Sequence, residues 1–180
     1  MGVLGWLIYI QTRQEGLNRA LIAAIKRQDT PTALSLLEQG ADANAHDESQ
    51  QTPVSWWQLL LDKLHTRHAL PPTAPTALLV AFFEPSRNGD YRYHQADSLL
   101  IEALLNHGAD INAQDENGGT ALIYAAEFGH VKAVRLLLDH HADVNIKDYD
   151  ADTALSFAQP QVFPGQASIM HLLKQAGAKE

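Results

Sequence analysis

Cysteine is absent from these 180 residues. That excludes disulfide frameworks, thiolate zinc sites and cysteine nucleophiles, and it leaves the compartment open. Positive charge is also scarce: 13 Lys and Arg stand against 21 Asp and Glu, and no basic run occurs. A formal charge of −8 argues against a nucleic-acid partner, whose phosphates require a basic face. Long apolar runs are missing too. The nearest to one is Val3, Leu4, Trp6, Leu7, Ile8, Tyr9 and Ile10, which stops at Gln11. It falls far short of the ~20 residues that cross a bilayer, and it lacks the basic start and small-residue cleavage site of a secretory signal. Two readings stay open for it: a cap over the exposed end of the fold, or the remnant of a membrane anchor. Arg13, Arg19, Lys26 and Arg27 would suit the cytoplasmic side of such an anchor.

Catalytic signatures are missing as well. There is no phosphate-binding glycine loop with its lysine, no Gly-x-Ser-x-Gly elbow and no His-Glu-x-x-His helix. Nine histidines are present, but they do not assemble a ligand set. His65 and His68 are three apart with nothing nearby to complete a site, His140 and His141 point in different directions, and His130 follows a glycine at a structural position. The expectation is no enzyme, no metal and no cofactor, with a metal- or ligand-binding protein that uses His65 and His68 to share a divalent ion as the lesser alternative. What remains is a chain that is 46% apolar and 19% charged, the composition of a globular domain.

Lining the chain up with itself gives the organisation. Leu36-Leu37-Glu38-Gln39-Gly40-Ala41-Asp42-Ala43-Asn44-Ala45 recurs as Leu104-Leu105-Asn106-His107-Gly108-Ala109-Asp110-Ile111-Asn112-Ala113. It returns as Leu137-Leu138-Asp139-His140-His141-Ala142-Asp143-Val144-Asn145-Ile146, and in worn form as Leu172-Leu173-Lys174-Gln175-Ala176-Gly177-Ala178. Upstream of these phrases lie Thr120-Ala121-Leu122-Ile123-Tyr124-Ala125-Ala126 and Thr153-Ala154-Leu155-Ser156-Phe157-Ala158. Thr120 and Thr153 are 33 residues apart, as are Gly108 and His141.

The local chemistry suits pairs of helices. Thr120 is a good N-cap, and Asp29-Thr30-Pro31 places a cap before proline at the first helical position. Gly108 and Gly129 stand where helices must stop in the left-handed conformation. Ala125 and Ala126 allow close helix approach, and Val131, Val134, Leu137 and Leu138 mark a buried stripe at helical spacing. His141 replaces the helix-ending glycine. It is expected to pay on the order of 1–2 kcal/mol if the backbone there is left-handed, although histidine tolerates that region better than most residues.

This 33-residue pattern resembles the ankyrin repeat, a turn, two antiparallel helices and a protruding hairpin loop. The resemblance covers about residues 17–178 and implies an all-α solenoid of about four repeats. The chain departs from the family's Thr-Pro-Leu-His with Thr120-Ala121-Leu122-Ile123 and Thr153-Ala154-Leu155-Ser156. The histidine that ties neighbouring loops in the family is therefore missing. The expected division is an apolar segment at 1–16, repeat one at 17–47, an inserted helix and proline-rich loop at 48–74, and repeat two at 75–115 with an exposed inserted loop at 85–95. Repeat three follows at 116–148 and a degenerate repeat four at 149–180. Gly40 and Gly108 are 68 positions apart, so about one period of extra chain separates them. Repeat two opens at Thr52 or Thr76; Thr76 is preferred because Ala81 then takes the small-residue position.

The resemblance implies a protein-binding module. Tyr124, Phe128 and Phe157 would line the groove beside the hairpin tips. Asp115, Glu116, Asn117, Asp148, Tyr149 and Asp150 would form the tips, and their acidic residues, with Asp47, Glu48 and Asp152, would steer a basic segment of the partner. Against this stands the ordinary role of Asp in turns. Trp56 and Trp57 on the insertion are candidate anchors, or pins that hold the inserted helix to the array. The expected partner is another protein and no nucleic acid. The expected state is a cytoplasmic monomer, with membrane contact through residues 1–10 as the alternative.

Overall fold

The computed structural model describes residues 3–47, 75–85, 91–93, 97–158 and 165–179. Within them, polar caps break the chain into short helices. α1 spans Val3–Lys26 and α2 Thr30–Glu38. Asp29 caps α2 by accepting from the backbone N–H of Thr32 at 3.2 Å and from its hydroxyl at 2.6 Å, with Pro31 in the first turn. α3 is Ala77–Val80, α4 Ser98–Asn106, α5 Ala121–Glu127 and α6 Val131–Asp139. α7, Ala154–Phe157, and α8, Gln166–Gln175, complete the described helices. Thr120 caps α5 through Ile123 N–H, and Thr153 caps α7 in a reciprocal box with Ser156.

The helices pair and stack as an all-α solenoid. α2, α4, α6 and α8 pack one on the next along one side, while α1 meets α3 and α5 meets α7 along the other. One leucine recurs in each helix of the first row: Leu37, Leu104, Leu137 and Leu173 are all at most 2% exposed. Burying a side chain of this kind is worth roughly 1.5–3 kcal/mol. The second row is kept thin by Ala77, Ala121, Ala125, Ala126, Ala154 and Ala158, all buried, so adjacent backbones approach closely.

Two features differ from the expectations. The apolar segment and the first helix of the array are one continuous helix, because no glycine stop or proline separates Ile10 from Leu21 and Gly16 alone is a weak breaker. Tyr9 and Ile10 at its outer end are 63% and 42% exposed. The segment expected as an exposed loop at 85–95 has strand arms: β1, Phe83–Pro85, pairs antiparallel with β2, Tyr91–Tyr93, in the register Phe83 to Tyr93. Aromatic residues favour extended backbone, and that preference dominates at Tyr91 and Tyr93. No helix among the described residues is long and apolar enough to cross a membrane.

The chain enters and leaves 48–74 through a narrow neck. Asp47 N–H donates to Pro75 O at 3.0 Å and Ala77 N–H to Ala45 O at 2.8 Å. The uninterrupted hairpins close in the same way, Asp115 N–H to Gly119 O at 3.1 Å and Asp148 N–H to Asp152 O at 2.9 Å. Residues 48–74 thus stand in place of a three-residue tip. Thr76 sits at the N-cap position of α3, as Thr120 does for α5, and Thr52 lies outside the described residues.

Candidate functional site: the hairpin edge

The hairpins are tied to one another by asparagine. The backbone N–H of Asp42 donates to Asn18 Oδ1 at 2.9 Å, that of Asp110 to Asn44 Oδ1 at 2.6 Å, and that of Asp143 to Asn112 Oδ1 at 2.9 Å. Lys179 N–H closes the series on Asn145 Oδ1 at 3.0 Å. Each aspartate in turn holds its own loop: Oδ1 of Asp42, Asp110 and Asp143 accepts from the N–H two residues on. In Gly-Ala-Asp-x-Asn the aspartate therefore shapes the turn and the asparagine reaches the next repeat. These links join each repeat to the next. They also run from Asn44 to Asp110 across 66 residues of sequence, so the inserted chain leaves the stacking unbroken.

At the tips, the first aspartate is an internal group. Asp115 is 6% exposed. Its Oδ1 accepts from Asn117 N–H at 2.9 Å and Gly119 N–H at 3.0 Å, and its Oδ2 accepts from the Tyr124 hydroxyl at 2.6 Å. Asp148 Oδ1 accepts from Asp150 and Asp152 N–H at 3.0 and 2.8 Å. Asp47, 4% exposed, pairs with the Lys26 ammonium. A side chain on Gly119 would fall on the Tyr124 hydroxyl, so the glycine makes room for the tyrosine–aspartate bond. Neighbouring tips are joined too: Gln114 Nε2 donates to Gly118 O and Lys147 O, and Tyr149 N–H donates to Asn117 O at 3.0 Å.

One position changes sign between repeats. Lys26 ends α1 and meets Asp47 of the following hairpin. Glu127 ends α5 in the corresponding place, within range of the charge of Asp148 in its hairpin. Glu127 is half-buried, and its carboxyl is held above the ordinary range, first by loss of water and second by the Asp148 charge. Among the described residues no basic side chain makes an ion pair with either carboxylate.

Residues 93–179 match the family model described as ankyrin repeats in three copies. This chain is an ankyrin-repeat protein. Similar curated proteins include the ankyrin repeat domain-containing protein SAT10 of Stachybotrys chartarum, 29% identical over 69% of this chain and 6% of that one. The neurogenic locus notch homolog protein 1 of Xenopus laevis is 31% identical over 72% of this chain and 5% of its own length. The ankyrin repeat and SOCS box protein 6 of Mus musculus is 31% identical over 62% and 27% respectively. The chain thus spans about a quarter or less of these relatives. Ankyrin repeats are generally protein–protein interaction modules, and the family is typically non-enzymatic.

The residues picked out from the sequence separate into three groups in this ankyrin array. Glu116, Asn117, Tyr149 and Asp150 are exposed on the tips, and Phe128, Phe157 and Asp148 are half-buried. Tyr149 is 65% exposed, and its ring edge lies close over Gly118. Asp115 and Tyr124 are instead buried and bonded to each other, which corrects their placement on the outer surface: turn chemistry and burial claim them. Trp56, Trp57, Glu48, His65 and His68 lie outside the described residues. Sequence reasoning missed the asparagine ladder and Glu127. Both were readable in repeat register, the first as Asn44, Asn112 and Asn145 and the second as a Lys-to-Glu change from residue 26.

Proposed function

We propose that this ankyrin protein is a non-catalytic binding module that takes a basic segment of another protein along its hairpin edge, at Glu127 and Asp148. The observation that carries the reading is the sign change just described. In repeat one the chain supplies Lys26 to the hairpin aspartate, whereas at Glu127 and Asp148 two carboxylates stand within range of each other's charge. A partner's lysine or arginine would relieve that repulsion and gain two charge-assisted contacts in a partly desolvated place. Glu116 and Asp150 add steering charge, and Tyr149 offers a large apolar surface already fixed through its backbone. The same reading keeps four repeats, at 17–47, 75–115, 116–148 and 149–180.

The test uses a substitution that fills the site from within. Glu127→Lys should raise the unfolding midpoint, by up to about 1 kcal/mol for a partly exposed pair, and abolish capture of the partner that wild type retains. Capture undiminished by a folded Glu127→Lys would refute this site. Tyr149→Ala and Asp150→Lys should each weaken capture by a smaller factor.

A further inference from the structure

Asn-Gly occurs twice in the chain, at Asn88-Gly89, outside the described residues, and at Asn117-Gly118 on the tip between Asp115 and Gly119. The pair has a chemistry of its own, because glycine carries no side chain to keep its backbone nitrogen from the preceding carboxamide. Asn117 is exposed to water. Its peptide link to Gly118 is nevertheless held at both ends: Gly118 N–H donates to Asp115 O at 3.0 Å, and Asn117 O accepts from Tyr149 N–H at 3.0 Å. A peptide is planar, so its nitrogen cannot turn without its carbonyl. Aiming the Gly118 nitrogen at the Asn117 side chain therefore breaks both bonds. One of the two comes from the next hairpin, whose Tyr149 ring also lies close over Gly118.

We propose that Asn117 is a site of spontaneous deamidation, held in check by the Tyr149 bond from the neighbouring hairpin. When that hairpin opens, the Gly118 nitrogen bonds to Asn117 Cγ, and ammonia leaves with the proton that the nitrogen gives up. Water then opens the cyclic imide at either carbonyl, giving aspartate or isoaspartate. The two products differ in consequence. Aspartate is native to this place one hairpin on: Asp150 N–H donates to Asp148 Oδ1 at 3.0 Å, as Asn117 N–H does to Asp115 Oδ1 at 2.9 Å. Isoaspartate puts an extra methylene into the main chain of a turn in which Asp115 holds the N–H groups of Asn117, Gly118 and Gly119. Those bonds cannot all survive it. Conversion is thus a one-way loosening of the tip that sets Asp115 against Tyr124. It needs only water, so it stands or falls separately from the basic-segment reading.

Peptide mapping by mass spectrometry tests it, on the whole chain held at slightly alkaline pH, native, unfolded in urea, and as Tyr149→Pro. Proline suits the second position of a turn, and Tyr149 holds that position in the turn that Ala151 N–H closes on Asp148 O. The variant therefore removes the donor to Asn117 O and keeps the turn. Asn117 should convert at least about tenfold faster in the unfolded chain than in the native one, to both products. Tyr149→Pro, shown folded by thermal unfolding, should lose most of that protection, whereas Tyr149→Ala, which keeps the N–H, should stay near the native rate. Equal rates in native and unfolded chains, no conversion in the unfolded chain, or full protection in folded Tyr149→Pro would overturn the proposal. So would equal loss of protection in Tyr149→Ala, since the bond would then not be the guard. If Tyr149→Pro does not fold, urea below the unfolding transition replaces it. Conversion should then rise while the helices remain intact, and a rise only with global unfolding would contradict the guard.

Discussion

Among the described residues, three that are not glycine have left-handed backbone, and each stands where another repeat has glycine. Gln28 at φ 57° corresponds to Gly129, His141 at 65° to Gly108, and Ala151 at 67° to Gly118. A side chain in that region costs on the order of 1 kcal/mol. His141 is exposed, so removing its ring forfeits little packing. His141→Gly and Ala151→Gly should therefore each raise stability by about 1 kcal/mol, read as a higher urea midpoint at unchanged slope. An unchanged or lower midpoint would mean that the ordering of the unfolded chain outweighs the relief of strain. The opposite sign is expected at the ladder: Asn112→Ala removes the acceptor for Asp143 N–H and should cost about 1 kcal/mol.

At the level of elements, each hairpin is closed by a neck that begins at an aspartate, and what varies is the group that meets it: Lys26 for Asp47, Tyr124 for Asp115 and Glu127 for Asp148. Gly119→Ala should displace Tyr124 from Asp115 and cost about 1–3 kcal/mol, since a buried carboxylate would lose a partner. Urea unfolding would read that loss. Glu127 gives a pH signature. A carboxyl whose folded pKa lies above its unfolded value binds its proton better when folded. Its contribution is present below the ordinary glutamate range and is lost as pH rises through the raised value. Urea titrations across mildly acidic pH should show a stability slope of that sign, smaller in Glu127→Gln. An identical slope in the variant would place its origin elsewhere, for instance in Asp29, whose carboxyl is held low by the Thr32 hydroxyl and N–H and acts in the opposite direction. The helices and their caps were legible in the sequence because Thr120, Thr153, Asp29 and the glycine stops act within one turn. The strand arms at Phe83–Pro85 and Tyr91–Tyr93 were not, since reading 85–95 as an exposed loop gives no weight to the aromatic flanks. Neither was the burial of Asp115 and Tyr124, which depends on a contact nine residues apart through the space that Gly119 leaves.

On the scale of the whole molecule, stacking is a chain of nearest-neighbour contacts, and the ladder from Asn18 to Lys179 passes through every interface. The recurring phrases made the solenoid legible through the family resemblance they carry, and the neck at Asp47 and Pro75 accommodates the additional chain without altering the stack. The candidate site was only partly legible: the tips were placed by resemblance, whereas the Glu127–Asp148 pair emerges only when repeats are compared in space. Such a pair leaves a definite signature, because a lysine at 127 would stabilise the fold and block the site together. The most direct measurement is therefore affinity capture by wild type and by Glu127→Lys, with their unfolding midpoints recorded side by side. A higher midpoint with capture lost is the predicted result, since unfolding could not explain that loss. A higher midpoint with capture intact would contradict the account and place the partner away from the hairpin edge.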